Sequence, residues 1–252
     1  MSHRAFVLAA YTKLLDAIEA APSPPLIQFI GYEYAAGHPE LVYDWQEQDF
    51  TRELVNAFNQ YAYWTNRIAD WERVLVGYSD DDARELRYEF TTVPLDYCLH
   101  CPYKFKSRLA FCATQLCYTK AVAAKLIKKE EVQAEERINL GTFIAAARHW
   151  PAGLPLAEAL KSIDADPYRQ ATSNYRNKSQ HRHPQRLDYG HIANVVRSFP
   201  GGSGVRYAFG EAPPLTASDA LPVLEAEAER MRLAFLAYRA LIEEHTAVKK
   251  ET

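Results

Sequence analysis

The sequence predicts an all-α multi-helix bundle in a single domain. Apolar residues recur at three- and four-residue intervals in nearly every hydrophobic segment, the period of an amphipathic helix. The interruptions fall at clusters of proline and glycine, which punctuate helices. Strand signals are few: VRYAF at 205–209 is the one short candidate, so at most a minor hairpin is expected around 187–209. At 252 residues, 48% hydrophobic and 24% charged, the chain has the balance of an ordinary globular protein and ample material for a core. No internal repeat or long linker is evident. The expected organisation is one helical domain over 1–252, an N-terminal elaboration of about 1–100 preceding a helical core of about 103–250.

The elements follow in order. Phe6, Ala10, Leu14 and Ile18 form the inner stripe of a first helix, stopped by PSPP at 22–25. Residues 40–76 are dense in aromatics, among them Tyr43, Trp45, Phe50 and Trp71. Leu54, Phe58, Tyr61 and Ile68 recur there near helical spacing, which reads as core. Ser79 followed by Asp82 resembles a capping box and opens a short helix through Phe90. Pro94 and Pro102 are expected to break the chain before a long helix over about 104–136, with the KKEE run at 128–131 on a solvated face or helix end. Further helices are expected over about 138–148 and 156–163. Asp166-Pro167 is a helix start, because Asp caps free N–H groups and proline has no N–H to lose at the first position. That helix should run to just before Pro184. A loop containing PGGSG at 200–204 and APP at 212–214 leads to a final helix over about 217–249. Leu224, Ala228, Met231, Phe235, Tyr238 and Ile242 lie on one side of it.

Composition excludes some functions. A net charge of −3 and a pI near 6.3 do not describe a globally basic nucleic-acid binder, so any such contact needs a local patch. The N-terminal apolar run is interrupted by Lys13 and Asp16 and lacks the h-region of a signal peptide. No stretch approaches the ~18 continuous apolar residues of a membrane span. The expectation is a cytoplasmic protein without membrane contact, its four cysteines reduced.

One window concentrates the chemistry: YRNKSQHRHP at 175–184. From Pro167 to Leu187 there are five cations (Arg169, Arg176, Lys178, Arg182 and Arg186), two histidines and no acid. That is a positive island suited to phosphate. A basic helix C-terminus favoured by the macrodipole is the plainer explanation. On a continuous helix, Arg176, Asn177, Gln180 and His181 fan out on one side, while Tyr168, Ala171 and Tyr175 face a core. Arg176 and His181 lie about 140° apart on an ideal helix. To act on one substrate they need a distorted last turn or a second copy of the chain.

The string Arg176-Asn177-x-x-x-His181 resembles the R-x4–6-H signature of the HEPN superfamily. The resemblance implies an all-helical fold in the C-terminal half, a homodimer, and in many members a metal-independent ribonuclease of toxin–antitoxin, defence or RNA-processing systems. It implies RNA as substrate and an antitoxin or other protein as partner. By the resemblance, Arg176, His181 and Asn177 are the candidate catalytic residues. Histidine, with a reference pKa of about 6.5, suits general acid–base work, the role that the resemblance gives His181. Arg176 offers a fixed fork of donors to phosphoryl oxygens. Asn177 could orient the imidazole or bond a phosphate. Lys178, Arg182, Arg186 and Arg169 are candidate phosphate-binding residues. The reading of a different class is a helical scaffold that binds a partner or anionic ligand through the same basic helix end, without turnover.

No cofactor or metal is expected. His181 and His183 form an H-x-H pair that splays apart on a helix, with His191 and Asp188 the nearest other ligands. Cys98 and Cys101 form a C-x2-C, but Cys112 and Cys117 are five apart in a predicted helix and do not complete a zinc site. PGGSG lacks the Lys-Ser/Thr that completes a phosphate loop. The acidic residues Glu33, Glu40, Asp44, Glu47 and Asp49 are expected on a solvated face.

Overall fold

The structure, a computed structural model, describes residues 2–21, 26–28, 41–181, 185–190, 192–198 and 206–247. It is all-α, with nine α-helices among the described residues. They are α1 (His3–Glu19), α2 (Leu41–Leu75), α3 (Asp80–Phe90), α4 (Thr92–Ala123), α5 (Leu140–Ala147), α6 (Gly153–Ser162), α7 (Asp166–Ala171), α8 (Tyr175–His181) and α9 (Ala217–Ala247). One antiparallel ribbon joins β1 (Ile192–Ser198) to β2 (Arg206–Ala212), in register from Ile192↔Ala212 to Ser198↔Arg206. This ribbon is the kind of minor hairpin to which the sequence limits β structure, and its first strand is the segment whose pattern gave no signal. PSPP, PGGSG, Arg182, His183, His191, Glu33 and Glu40 lie outside the described residues.

The chain divides into two compact units, each assembled from three separate stretches. The first comprises 1–24, 64–100 and 166–225; the second comprises 25–63, 101–165 and 226–252.

In the first unit the inner stripe of α1 does what its spacing predicts. Ala10 and Leu14 are buried with Trp71, Leu75, Ala83 and Leu86, and Phe6 and Ile18 pack against them. Trp71 stacks on Phe90, centroids 4.6 Å apart. Ser79 caps α3, its Oγ accepting from the Asp82 N–H. The Arg87 guanidinium donates twice to Glu72, both bonds at 2.9 Å, tying α3 to the end of α2.

In the second unit Leu54, Phe58, Phe105, Phe143, Phe235 and Tyr238 are buried. The Phe58 and Phe105 rings meet edge to face. Trp45 departs from the aromatic core and is 62% exposed. The acidic stretch also departs from expectation. Asp44 and Glu47 are buried, and only Asp49 of the described acids is exposed. The cost of burying Glu47 is offset by Thr51 Oγ1, which donates to Glu47 Oε1 at 2.8 Å; elsewhere in this unit Tyr43 shares a 2.8 Å hydrogen bond with the buried His245 Nδ1.

Two helix boundaries differ from the sequence reading. Pro94 and Pro102 do not precede the long helix; both lie inside α4, which ends at Ala123. Pro94 sits in the first turn, where its missing N–H has no intrahelical partner to lose. Pro102 is carried by the burial of Leu95, Leu99, Phe105 and Leu109 around it. The helix stops when Lys125 turns left-handed at φ 57° and Leu126 N–H bonds back to the Ala121 carbonyl. The KKEE run is exposed, part of it in a 3-10 turn over Lys129–Glu131.

The second difference concerns the basic window. The single helix expected from Asp166 to before Pro184 is two short helices, α7 and α8. Ser173 and Asn174 are left-handed at φ 52° and 56°, and Asn174 N–H returns to the Arg169 carbonyl. Thr172, Ser173 and Asn174 offer the backbone competing hydrogen bonds, as when Thr172 Oγ1 donates to the Tyr168 carbonyl. One helical wheel therefore does not describe Arg169 and Arg176 together.

Candidate functional site

The basic window lies in the first unit, and α8 carries its centre. Tyr175 at the start of α8 is buried and donates its OH to Asp96 Oδ1 at 2.7 Å. Burial first, then the Asp96 carboxylate, holds the Tyr175 phenol above its ordinary range. Ser179, one turn on, shares a 2.9 Å hydrogen bond with His100 Nε2, and the His100 and Tyr175 rings meet edge to face. These contacts fix one face of α8 to the beginning of α4.

The other face presents the residues singled out by sequence. Asn177 and His181 are exposed, while Arg176 and Lys178 are half-buried. Arg169 is half-buried on α7, 4.0 Å from the exposed Asp166 carboxylate. Arg186 is exposed in the segment after α8.

A cleft of about 690 Å³ opens beside α8. Tyr88, Asp96, Tyr175, Arg186 and Tyr189 line it, with Thr92 and Val93 between them. The Tyr88 and Tyr189 rings lie 6.4 Å apart, tilted by 38°, and form an aromatic wall. Of the residues that the sequence put forward as phosphate ligands or catalysts, Arg186 lines the cleft; Arg176, Asn177 and His181 are not among its lining residues.

The 185–190 segment that closes the cleft is held from several sides. Leu187 pairs with Leu215 in a parallel bridge, through Asp188 N–H to the Leu215 carbonyl and Leu215 N–H to the Arg186 carbonyl. Asp188 Oδ1 accepts from the Ala217 N–H at 2.8 Å, at the start of α9. Burial pushes the Asp188 carboxyl up from its ordinary value. Tyr189 OH donates to the Arg84 carbonyl at 3.0 Å, which orients the ring on the wall. Gly190 follows at φ +81°, a conformation that suits glycine.

Sequence reading did not find this cleft. Its walls come from 88–96, Tyr175 and 185–190, so no short spacing records it. The one local signal was the abundance of tyrosine.

The cysteines are buried in helix α4. Burial raises the Cys112 thiol to about 12 and pushes Cys117 higher still. Cys98 Sγ accepts a 3.7 Å contact from Thr65 Oγ1. Among the described residues no group of three His, Cys, Asp or Glu side chains is placed to hold a metal ion. No helix of the described residues is long and apolar enough to cross a membrane.

No protein family, curated protein or solved structure matches the chain. The HEPN resemblance therefore rests on Arg176-Asn177-x-x-x-His181 alone.

Proposed function

We propose that the chain binds single-stranded RNA on its first unit and cleaves it through Arg176 and His181, as a HEPN-like, metal-independent endoribonuclease. The observation that carries the RNA reading is the tyrosine-walled cleft beside a cationic helix. Bases stack on exposed aromatic rings whatever their identity, and cations beside them follow the backbone. Tyr88 and Tyr189 supply the rings; Arg186, Arg176 and Lys178 supply the charge.

The chemistry follows from RNA itself. The 2′-oxygen attacks the adjacent phosphorus, the bond to the 5′-oxygen breaks, and a cyclic phosphate and a 5′-hydroxyl result. His181, exposed on α8, serves either oxygen as general acid or base. Arg176 stabilises the charge that grows on the phosphoryl oxygens. The two side chains leave α8 about 140° apart, so the reading includes a homodimer in which Arg176 of one chain works with His181 of the other.

The test is a cleavage assay on mixed cellular RNA in chelator, beside His181→Ala. The wild type is expected to cleave. The variant is expected to lose cleavage but keep its fold and its RNA binding, because an exposed histidine carries little packing. Equal cleavage by both proteins would overturn the mechanism. A second reading, binding without turnover, is favoured by one observation: Arg176 and His181 do not line the cleft. RNA binding with no cleavage by either protein would establish it.

A further inference from the structure

Helix α1 carries two apolar faces, and one is covered within its own unit. Phe6, Ala10, Leu14 and Ile18 face the core of Trp71, Leu75 and Leu86. Lys13 lies over the Tyr78 ring and His3 contacts Glu85, so the helix is anchored along this side. The second face is open: Leu8 is 55% exposed, Tyr11 47% and Leu15 45%. On an ideal helix these three, with Arg4 and Glu19, fall within an arc of about 80°. Their spacing of four, three, four and four residues is nearly that of a coiled-coil seam. Three large apolar side chains in one line on a short helix exceed the scattered exposure of an ordinary surface.

The charges say what covers this face. Arg4 and Glu19, both exposed, stand at opposite ends of the stripe. Laid antiparallel on a second copy of itself with its centre between Tyr11 and Thr12, the helix brings Leu8 onto Leu15 of the other copy, and Arg4 onto Glu19. By symmetry each of these contacts occurs twice. A two-fold interface needs this self-complementarity, since the same patch must serve on both sides. A parallel pair would set Arg4 against Arg4 and Glu19 against Glu19. We propose that the exposed face of α1 is an antiparallel two-fold seam between two copies of this chain. The seam does not depend on the RNA reading, because it is measured without RNA.

A single pair of helices of this length buries less than the roughly 800 Å² per partner of a standard interface, so the dimer should dissociate on dilution. Sedimentation equilibrium of the full chain over a concentration series should show a reversible monomer–dimer equilibrium. Leu8→Glu or Leu15→Glu should raise the dissociation constant about tenfold or more, since each removes a buried leucine and adds a charge. Circular dichroism should be unchanged, because the inner face is untouched. Arg4→Glu and Glu19→Arg should each weaken self-association by opposing like charges. Mixed together, those two variants should form a heterodimer at least as readily as the wild type forms a homodimer, because both end pairs become attractive. A wild type that stays monomeric up to about 1 mM, the dissociation constant of an association worth only about 4 kcal/mol, would overturn the proposal. So would a dimer that both leucine substitutions leave intact, or a mixture that shows no rescue. Loss of RNA binding or cleavage would leave these measurements unaffected, and a dimer that survives both leucine substitutions would instead fit the Arg176–His181 pairing of the proposed function.

Discussion

Asp188 ties the 185–190 wall of the cleft to the start of α9. It occupies the left-handed region at φ 59°, where most side chains are strained and Asn and Asp are best tolerated. Its carboxylate accepts the Ala217 N–H and so satisfies a free donor at the start of α9. Asp188→Ala is expected to cost about 1–2 kcal/mol, from the lost cap and the added backbone strain. Asp188→Asn keeps a carbonyl acceptor and tolerates the same φ, so chemical denaturation should find it closer to wild type. The two variants also differ in pH dependence. Burial holds the Asp188 carboxyl above its ordinary 3.8. The folded protein therefore keeps that proton at a pH where the unfolded chain has lost it. The contribution of this group is largest at low pH and declines as pH rises from the ordinary value through the raised one. Asn cannot ionise, so stability curves of wild type and Asp188→Asn should diverge across that interval. The basic window was legible in the sequence because its residues are neighbours along the chain. Asp188 was not: its partners are Thr91 and Ala217, brought to it by the fold.

Helices were legible where one apolar stripe decided the outcome, as in α1 and α9, and where a cap marked the start, as in α3. They were misread where two local effects competed. At Pro102 burial outweighed a missing N–H, and the helix continued. At Thr172, Ser173 and Asn174 side-chain and left-handed alternatives outweighed propagation, and the helix divided. The approach of α5 to α6 is a third case that periodicity does not record. A Cβ built on Gly153 would lie 2.6 Å from Ala147 Cβ and 2.8 Å from the Ala147 carbonyl oxygen. Alanine at a helical glycine is otherwise worth up to about 1 kcal/mol of stability. Here the contact is with backbone, which cannot rotate away, so overpacking of about 1–3 kcal/mol should prevail. Gly153→Ala should lower the melting temperature. Adding Ala147→Gly should recover part of the loss but not all, because the carbonyl remains. A Gly153→Ala protein as stable as wild type would show that α5 and α6 separate at little cost.

At the scale of the whole molecule the governing fact is a net charge of −3, which by itself repels a polyanion. Ions screen charges beyond about 10 Å at 0.1 M salt, so RNA bound at α8 as proposed would feel mainly the local island. Binding should then depend on salt through a few cations rather than the total charge. Three of them stand beside the cleft or on α8: Arg176, Lys178 and Arg186. Arg169, with Asp166 nearby, should contribute less. For single-stranded RNA the slope of log K against log salt is about −0.7 per neutralised phosphate, so three contacts give a slope near −2. The measurement uses His181→Ala, so that binding is read without turnover. Titration of labelled single-stranded RNA at several salt concentrations should give that slope. Lys178→Ala and Arg186→Ala should each flatten it by about 0.7 while leaving helical content unchanged. Tyr88→Ala should instead weaken binding by about 1–3 kcal/mol with little change in slope, since stacking releases no counterions. The two kinds of variant thus separate the cleft from the island in one experiment. If neither cation substitution alters the slope, α8 does not carry RNA. If the slope falls but Tyr88→Ala binds as well as the parent, the strand follows the helix end and bypasses the cleft.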